Sequence, residues 1–236
     1  MNENNPSHLL SSQAYRSIKD DIVACILTPG QFIAQIDLVE KYGMGLTPIR
    51  EALRQLTQEG FVQPVPRLGY IVSPITARDV QEIYEMRSIL ETSSVRLAAM
   101  RGSDEEFQTL LDSADFSYTY KDHPSYSRFL AQNKEFHVSI AILSRNHRLE
   151  QQIARTMDEL TRVFHLGLDI RDSAEKMRDD HLALCRALME RDANQAERLI
   201  RQEILLSRER VMEALKSYSG QAITPENLLS LTMLHT

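Results

Sequence analysis

The segment from residue 46 to residue 62 constrains the fold more than any other part of the chain. Apolar residues recur in it at the spacing that lines one face of a helix. These positions are Ile49, Ala52, Leu53 and Leu56. Thr47, Arg50 and Arg54 fall on the opposite face, and Pro48 is tolerated because first-turn amides have no intrahelical partner. The segment therefore predicts a helix with a basic free face that leads directly into a strand.

Two earlier helices and a hairpin complete this module. The apolar pattern predicts a first helix from residue 11 or 12 to residue 27 and a second over residues 36–42. Gly43 follows at the position where a left-handed residue reverses the chain, so the second and third helices form a helix-turn-helix. After the third helix, β-favouring runs within residues 61–72 flank a tight tip. The prediction for residues 8–75 is a winged helix-turn-helix.

Such a module places its third helix in the major groove, where the first residues of that helix contact base edges and phosphates. Arginine can bond guanine bidentately, and the wing aims its tip at the adjacent minor groove or backbone. The residues predicted to contact DNA are Thr47, Pro48, Arg50, Arg54, Arg67 and Gly69. The alternative is an α+β cap in which Arg50 and Arg54 are solvated surface charges. The order of the elements favours DNA binding over that alternative.

The overall charge does not favour DNA binding. The chain carries 27 Lys and Arg against 33 Asp and Glu, a net charge of -6. Residues 1–75 hold six basic and seven acidic side chains, a net charge of -1. Arg50, Arg54 and Arg67 nevertheless cluster in the predicted helix and wing. We therefore expect a locally positive strip on a weakly acidic protein.

The composition indicates an ordinary folded protein. The hydrophobic share is 42%, no apolar run approaches the length of a membrane span, and the N-terminal residues lack a signal-peptide pattern. We therefore expect a cytoplasmic protein with no membrane partner. Cys25 and Cys185 lie in apolar helical patterns, which is typical of reduced core thiols rather than of a disulfide or a zinc site.

Helix-favouring residues dominate after position 76. Residues 76–79 and 103–106 have the spacing of capping boxes, each opening a helix. Apolar periodicity predicts four further helices, at residues 125–143, 148–168, 174–190 and 194–216. The prediction for residues 76–217 is an antiparallel all-α bundle of six helices, so the whole chain is mostly α. Residues 218–236 form a tail in which Thr224 would cap a short extra helix.

The N-terminal module resembles the winged helix of the GntR family of bacterial transcriptional regulators. The matching residues are Pro29-Gly30, Met44-Gly45-Leu46-Thr47-Pro48-Ile49-Arg50-Glu51-Ala52-Leu53, Glu59-Gly60 and Gly69. Gly45 stands where the family usually has a capping Ser, and Leu46 where it commonly has an operator-contacting Arg. Because glycine is an acceptable N-cap, we expect the helix to form and the recognised DNA sequence or the affinity to differ.

The C-terminal bundle resembles the FCD domain of the FadR subfamily over residues 77–215. The matching residues are Tyr84-Glu85-Met86-Arg87, Leu90-Glu91, Asn133, Phe136-His137, Arg145-Asn146, His181, Asp192 and Ala196. The resemblance implies a homodimer with an effector site inside the bundle. It places Arg87 in that site, and a buried arginine near histidines favours a small carboxylate. The alternative for Arg87 is an ion pair with Glu91 one turn on. The predicted effector-binding residues are Arg87, His137 and His181.

Many FCD domains bind a divalent metal through an Asp, a His four residues later and two further His residues. Here Asn133 takes the Asp position, His137 and His181 match, and Glu203 takes the position of the last His. Asn133 and His137 are one helical turn apart, while His181 and Glu203 lie equally far from the turn at Asp192, so all four can converge. Glutamate is a hard ligand and asparagine a weak one. A metal of the Zn, Ni or Mn class and an ion-free pairing of Glu203 with a histidine both stay open.

These features predict a ligand-responsive transcriptional regulator and not an enzyme. The protein would bind double-stranded operator DNA as a dimer, and a small organic acid in the bundle would modulate its DNA affinity. One alternative is a metal-dependent enzyme that uses His137, His181 and Glu203, with Glu203 as base. No nucleophile constellation or phosphate-binding loop accompanies that cluster in the sequence. A second alternative is a bundle that only scaffolds partner proteins.

Overall fold

The protein is mostly helical, as the periodicity predicts, and the predicted fold class is confirmed. The computed structural model describes residues 6–168 and 170–218, which form two compact units that divide between Ile75 and Thr76. The first unit holds three helices and a small sheet among its described residues, and the second is all helical over the same coverage. No helix in these ranges is long and apolar enough to cross a membrane.

The first unit is a winged helix-turn-helix. Its elements are α1 (Pro6–Val23), β1 (Phe32–Ile33), α2 (Gln35–Tyr42), α3 (Leu46–Gln58), β2 (Val62–Val65) and β3 (Gly69–Val72). The strands form an antiparallel sheet in the order β1-β3-β2. Gly43 adopts a φ of 64°, the left-handed conformation that closes the turn between α2 and α3. The core of this unit includes Ala14, Ile18, Ile22, Leu38, Ile49, Leu53 and Leu56.

Helix α1 ends earlier than the apolar pattern predicts. The prediction ran to Leu27, whereas the helix ends at Val23. Cys25 takes a left-handed φ of 55°, and the Leu27 amide donates to the Asp21 carbonyl at 2.9 Å. Leu27 is buried all the same. The apolar residue therefore marked a core position reached by a loop rather than a further helical turn.

Strand β1 was not predicted because two residues are too few to show alternation. Phe32 pairs with Ile71 and Ile33 with Tyr70, so β1 covers the free edge of β3. This pairing explains Gly69 at the start of β3. A β-carbon at that position would lie 2.6 Å from the Ile33 carbonyl oxygen, which is a steric clash. Glycine has no β-carbon and so allows the close approach of the two backbones.

The second unit consists of six helices over its described residues. They are α4 (Ala77–Arg101), α5 (Asp104–Ser113), α6 (His123–Leu143), α7 (His147–Gly167), α8 (Ala174–Met189) and α9 (Ala193–Tyr218). Both capping boxes form: Thr76 and Asp79 exchange backbone and side-chain hydrogen bonds at the start of α4, and Ser103 and Glu106 do so at α5. The helix predicted after Thr224 lies outside the described residues.

Neither cysteine forms a disulfide with a described residue, and Cys25 is half-buried in the turn after α1. Cys185 is fully buried on α8, and burial raises the pKa of its thiol to about 12. A thiol in this state is a poor nucleophile and metal ligand, which agrees with a core role.

Candidate DNA-binding surface and buried charged cluster

Contacts with α1 hold α3 in place. Leu46 opens α3 with Gly45 as its N-cap, and Gly45 supplies no side-chain cap. The Ser11 hydroxyl donates to Glu51, and the Tyr15 hydroxyl donates to Glu59 at 2.8 Å. These bonds turn the two acids of the α3 region toward α1. The helix forms without a capping side chain because its buried face and these bonds stabilise it.

The opposite face of α3 is free and basic. Thr47, Arg50 and Arg54 are all exposed. The Arg50 Nε donates to the Gln35 Oε1 at 2.9 Å, so the first residue of α2 orients this guanidinium. Because Glu51 and Glu59 are engaged by α1, the exposed arginines give α3 a locally positive face on a unit of nearly balanced charge.

The remaining predicted DNA contacts lie at the wing and at the first turn of α3. Arg67 is exposed at the wing tip with a left-handed φ of 67°. The Leu68 amide donates to the Val65 carbonyl at 3.1 Å and closes that tip. Pro48 is half-buried in the first turn of α3, and Gly69 is half-buried against β1. These last two residues shape the backbone, whereas the three arginines and Thr47 present exposed side chains.

Inside the second unit, six polar and ionisable side chains come from four helices, and all of them are buried. We call them the charged cluster, and its members are Arg87 and Glu91 on α4, Asn133 and His137 on α6, His181 on α8, and Glu203 on α9. Charged groups at such depth are costly unless they are paired. The partners of each member therefore indicate its role.

Arg87 bridges two carboxylates. Its Nε donates to the Glu91 Oε1 at 2.5 Å, and its Nη2 donates to the Glu203 Oε1 at 2.8 Å. The same Nη2 lies 3.2 Å from the His137 Nε2. The ion pair with Glu91 is thus part of the observed geometry. The Arg87 Nη1 makes no hydrogen bond with a described residue.

His137 lies between the same two carboxylates. Its Nδ1 is 2.7 Å from the Glu91 Oε2, and its Nε2 is 3.3 Å from the Glu203 Oε1. Burial opposes a charge on this ring, but Glu91 and Glu203 outweigh burial and raise the pKa of His137 to about 9. The pKa of Glu203 is lowered although burial would raise it, because His137, His181 and Arg87 surround it. Glu91 was missed as a partner of His137, since only its spacing from Arg87 was visible in the sequence.

His181 is the least satisfied member of the cluster. Its ring packs against Phe116 and Phe136 with centroid distances of 5.0 and 4.5 Å. Burial lowers the pKa of His181 to about 4, so the ring is neutral. Neither of its nitrogens has a hydrogen-bond partner among the described residues, and the same is true of the Asn133 Oδ1. Buried polar atoms without partners are uncommon in folded proteins, and a water molecule or an ion can complete their bonding.

A divalent metal fits this donor set. Ligand atoms of His137, His181 and Glu203 all lie within 4.8 Å of one another. Two imidazoles and a carboxylate suit Zn and similar ions, and Asn133 adds an unpartnered oxygen one turn before His137. Glu91 stands behind the His137 Nδ1, where a carboxylate orients a ligating histidine. The proton on His137 would have to leave on binding.

A winged helix-turn-helix with a free basic face, on one chain with an all-helical unit that encloses a polar cluster, defines a transcriptional regulator with a ligand-binding domain. The chain belongs to the GntR family of bacterial regulators and carries an FCD domain. The model "Bacterial regulatory proteins, gntR family" matches residues 10–72, and the FCD domain model matches residues 82–205. This is a class of regulators and not of enzymes, so the alternative of a metal-dependent enzyme is set aside.

Relatives agree with this assignment, and a solved structure has a similar fold. The chain is 28% identical over 205 residues to the HTH-type transcriptional repressor GlaR of Escherichia coli, a match covering 84% of this chain and 93% of that protein. It is also 28% identical over 188 residues to the Nta operon transcriptional regulator of Aminobacter aminovorans, covering 80% and 88%. Its fold is similar to that of E. coli McbR/YncC, with a TM-score of 0.71, 23% identity and coverage of 89% and 98%.

Proposed function

We propose that the protein binds operator DNA as a homodimer and that a small organic acid, bound in the FCD domain, changes its affinity for that DNA. The observation that carries the DNA part is the exposed basic face of α3, where Thr47, Arg50 and Arg54 project on the side opposite the core. Two such helices in a dimer would contact the two halves of a short inverted repeat. Because bacterial operator DNA lies in the cytoplasm, the protein would act there.

Helix α4 supplies an apolar surface for the dimer. Its outward side carries Met86, Ile89 and Met100 with exposed fractions of 47%, 63% and 64%. Half-buried Leu97 lies on the same side, at helical spacing from these three. Exposed apolar residues at both ends of this side, with Ser93 between them, favour a protein partner, and a second copy of the chain would cover the same residues on both subunits.

The charged cluster is the proposed effector site. The Arg87 Nη1 makes no hydrogen bond with a described residue, His137 approaches the same guanidinium, and the rings of His137 and His181 have centroids 5.6 Å apart. A divalent ion of the Zn, Ni or Mn class would be held by Asn133, His137, His181 and Glu203. Such an ion would supply a positive centre for a carboxylate. The unpartnered nitrogens of His181 and the free Asn133 oxygen support this assignment.

The domain division follows from the same proposal. Residues 8–75 would form the DNA-binding domain and residues 76–217 the effector-binding and dimerisation domain, with residues 218–236 as a tail. Effector binding would shift the spacing or the freedom of the two DNA-binding domains in the dimer.

An operator selection tests the DNA part. The purified protein is incubated with random-sequence duplex DNA at low salt, and we expect an inverted repeat to be enriched. Binding to this repeat should weaken steeply as the salt concentration rises. Arg50→Ala should cost about 1–3 kcal/mol of binding free energy, since it removes a base or phosphate contact. Arg198→Ala, an exposed arginine of α9, is the control and should bind as the wild type does. The proposal fails if no sequence is enriched, or if Arg50→Ala binds the selected repeat unchanged.

Metal analysis tests the proposed ion. Protein purified without chelator should hold about one equivalent of a divalent ion per chain. His181→Ala should lose most of it, because the substitution removes one of the proposed ligands. His147→Ala, which removes an exposed histidine of α7, is the matched control. A wild-type protein without a stoichiometric ion would end the metal part and leave the DNA part standing.

A further inference from the structure

A second arginine of the bundle lies close to the charged cluster but is not part of its pairing. Arg210 lies on α9, in line with Glu203 and Ser207 at helical spacing, and all three are buried. Only 8% of Arg210 is exposed. It makes no hydrogen bond and no ion pair with any residue in the described ranges. A guanidinium carries five N–H donors, and no Arg210 nitrogen is among the fully enclosed atoms that lack a partner, so these donors are open to solvent or to a ligand.

The surroundings of Arg210 are suited to an anion. Tyr84 interacts electrostatically with Arg87 and with Arg210, so it lies near both guanidinium groups. The Tyr84 hydroxyl is 2.7 Å from the Ser207 Oγ, and both groups are buried. The hydroxyl of Tyr118 is also close enough to interact with Arg210. Hydroxyl groups beside a guanidinium can complete the hydrogen bonds of a bound carboxylate.

The charge balance supports the same reading. Glu203 is the carboxylate that interacts with Arg210, but it already bonds to Arg87 and approaches His137. Arg171, which precedes α8, adds a further positive charge near Arg210. Burial lowers the pKa of Arg210 although Tyr84, Tyr118 and Glu203 oppose the shift, so enclosing its charged form is costly. Such a cost is common where a residue is kept for a ligand rather than for stability.

We infer that Arg210 is the main receptor for the carboxylate of the effector, with the Tyr84 and Ser207 hydroxyls beside it, while Arg87 mainly holds the cluster together. The inference rests on the proposed effector-binding function and deepens it. It differs from the expectation drawn from the family resemblance, which gave the carboxylate to Arg87. The ligand class is a small organic acid with at least one free carboxylate, because Arg210 has no anionic partner of its own among the described residues.

The inference predicts opposite effects for two matched variants. Arg210→Met removes an unpaired buried charge, so the ligand-free protein should melt at a higher temperature than the wild type. Arg87→Met leaves Glu91 and Glu203 without their partner, so that protein should melt at a lower temperature. A purely structural role for Arg210 predicts a lower melting temperature for both.

Ligand binding is then measured by the thermal shift given by acetate, succinate and adipate, with succinamide as the uncharged match. At least one acid should raise the melting temperature of the wild type by several degrees, succinamide should not, and Arg210→Met should lose the shift. The inference is overturned if Arg210→Met is destabilised or does not fold, if it keeps the shift, or if no acid stabilises the wild type. These measurements contain no DNA, so they test the inference separately from the regulatory proposal. If an acid binds through Arg210 but does not change the affinity for operator DNA, the regulatory proposal fails and the inference stands.

Discussion

At position 181, burial decides the chemistry of the side chain. His181 is fully buried between two phenylalanine rings and has no hydrogen-bond partner among the described residues. A neutral imidazole with free nitrogens is the form that binds a metal. The same burial should make the folded protein less stable at low pH, because protonation of the ring would place a charge in an apolar setting.

The buried, neutral ring of His181 predicts a pH dependence of stability in metal-free protein. The pKa of His181 is lowered to about 4, below its ordinary value, so the unfolded chain binds the proton first as pH falls. The stability that depends on a neutral His181 is therefore complete above pH ~6.5 and is lost as the pH falls toward ~4. Between pH ~7 and ~5 the loss from this group should be roughly 2 kcal/mol.

The measurement is urea unfolding in the presence of a chelator at those two pH values. His181→Phe, which suits the aromatic surroundings, should remove that part of the loss. His147→Phe changes an exposed histidine and should keep it. Equal pH dependence in wild type and His181→Phe would show that the buried ring does not titrate as described.

At the residue scale, the sequence predicted which residues belong to the charged cluster better than it predicted which of them contact one another. The spacing of Asn133, His137, His181 and Glu203 was sufficient to expect convergence, and the structure brings the last three within ligand distance of one another. Glu91 was visible only as a neighbour of Arg87, because its contact with His137 joins two helices far apart in sequence. Arg210 gave no signal, since an arginine in a helical pattern is normally exposed.

At the scale of elements, the wing depends on a close approach of backbones. Gly69→Ala should destabilise the first unit, because its β-carbon would meet the Ile33 carbonyl at 2.6 Å and separate β1 from β3. Gly60→Ala is the matched control: Gly60 also has a positive φ, of 80°, but has open space around it, so only about 1 kcal/mol of backbone strain is expected. Thermal unfolding and DNA binding of both variants give the comparison. Equal losses would show that the β1 contact is unimportant.

The helices were predictable because their signals are local. Both capping boxes and the apolar spacing of α3 are present in short runs of sequence, and the elements formed where those runs indicate. Strand β1 and the end of α1 depend on contacts made elsewhere in the fold. Ile33 is a strand residue only because Tyr70 pairs with it, and Cys25 ends a helix although it is not a glycine.

At the scale of the whole molecule, the dimer proposal depends on one face of α4. Ile89→Glu places a charge among the exposed apolar residues of this face, so it should shift the protein from dimer to monomer and weaken operator binding with it. Ile142→Glu, an exposed apolar residue of α6, is the control and should stay dimeric. Light scattering after size-exclusion chromatography measures the mass of each variant. A monomeric wild type, or a dimeric Ile89→Glu, would contradict the proposed interface.

Helix α4 contributes residues to two sites on opposite sides of the helix. Arg87 and Glu91 point into the charged cluster, while Met86 and Ile89, within one turn of them, lie on the outside. Under the proposed function, a mutation in the charged cluster that changes effector binding would also alter the surface proposed for the dimer. Duplicated copies that diverge in the effector they bind would then also lose the ability to form mixed dimers, which would keep their responses separate.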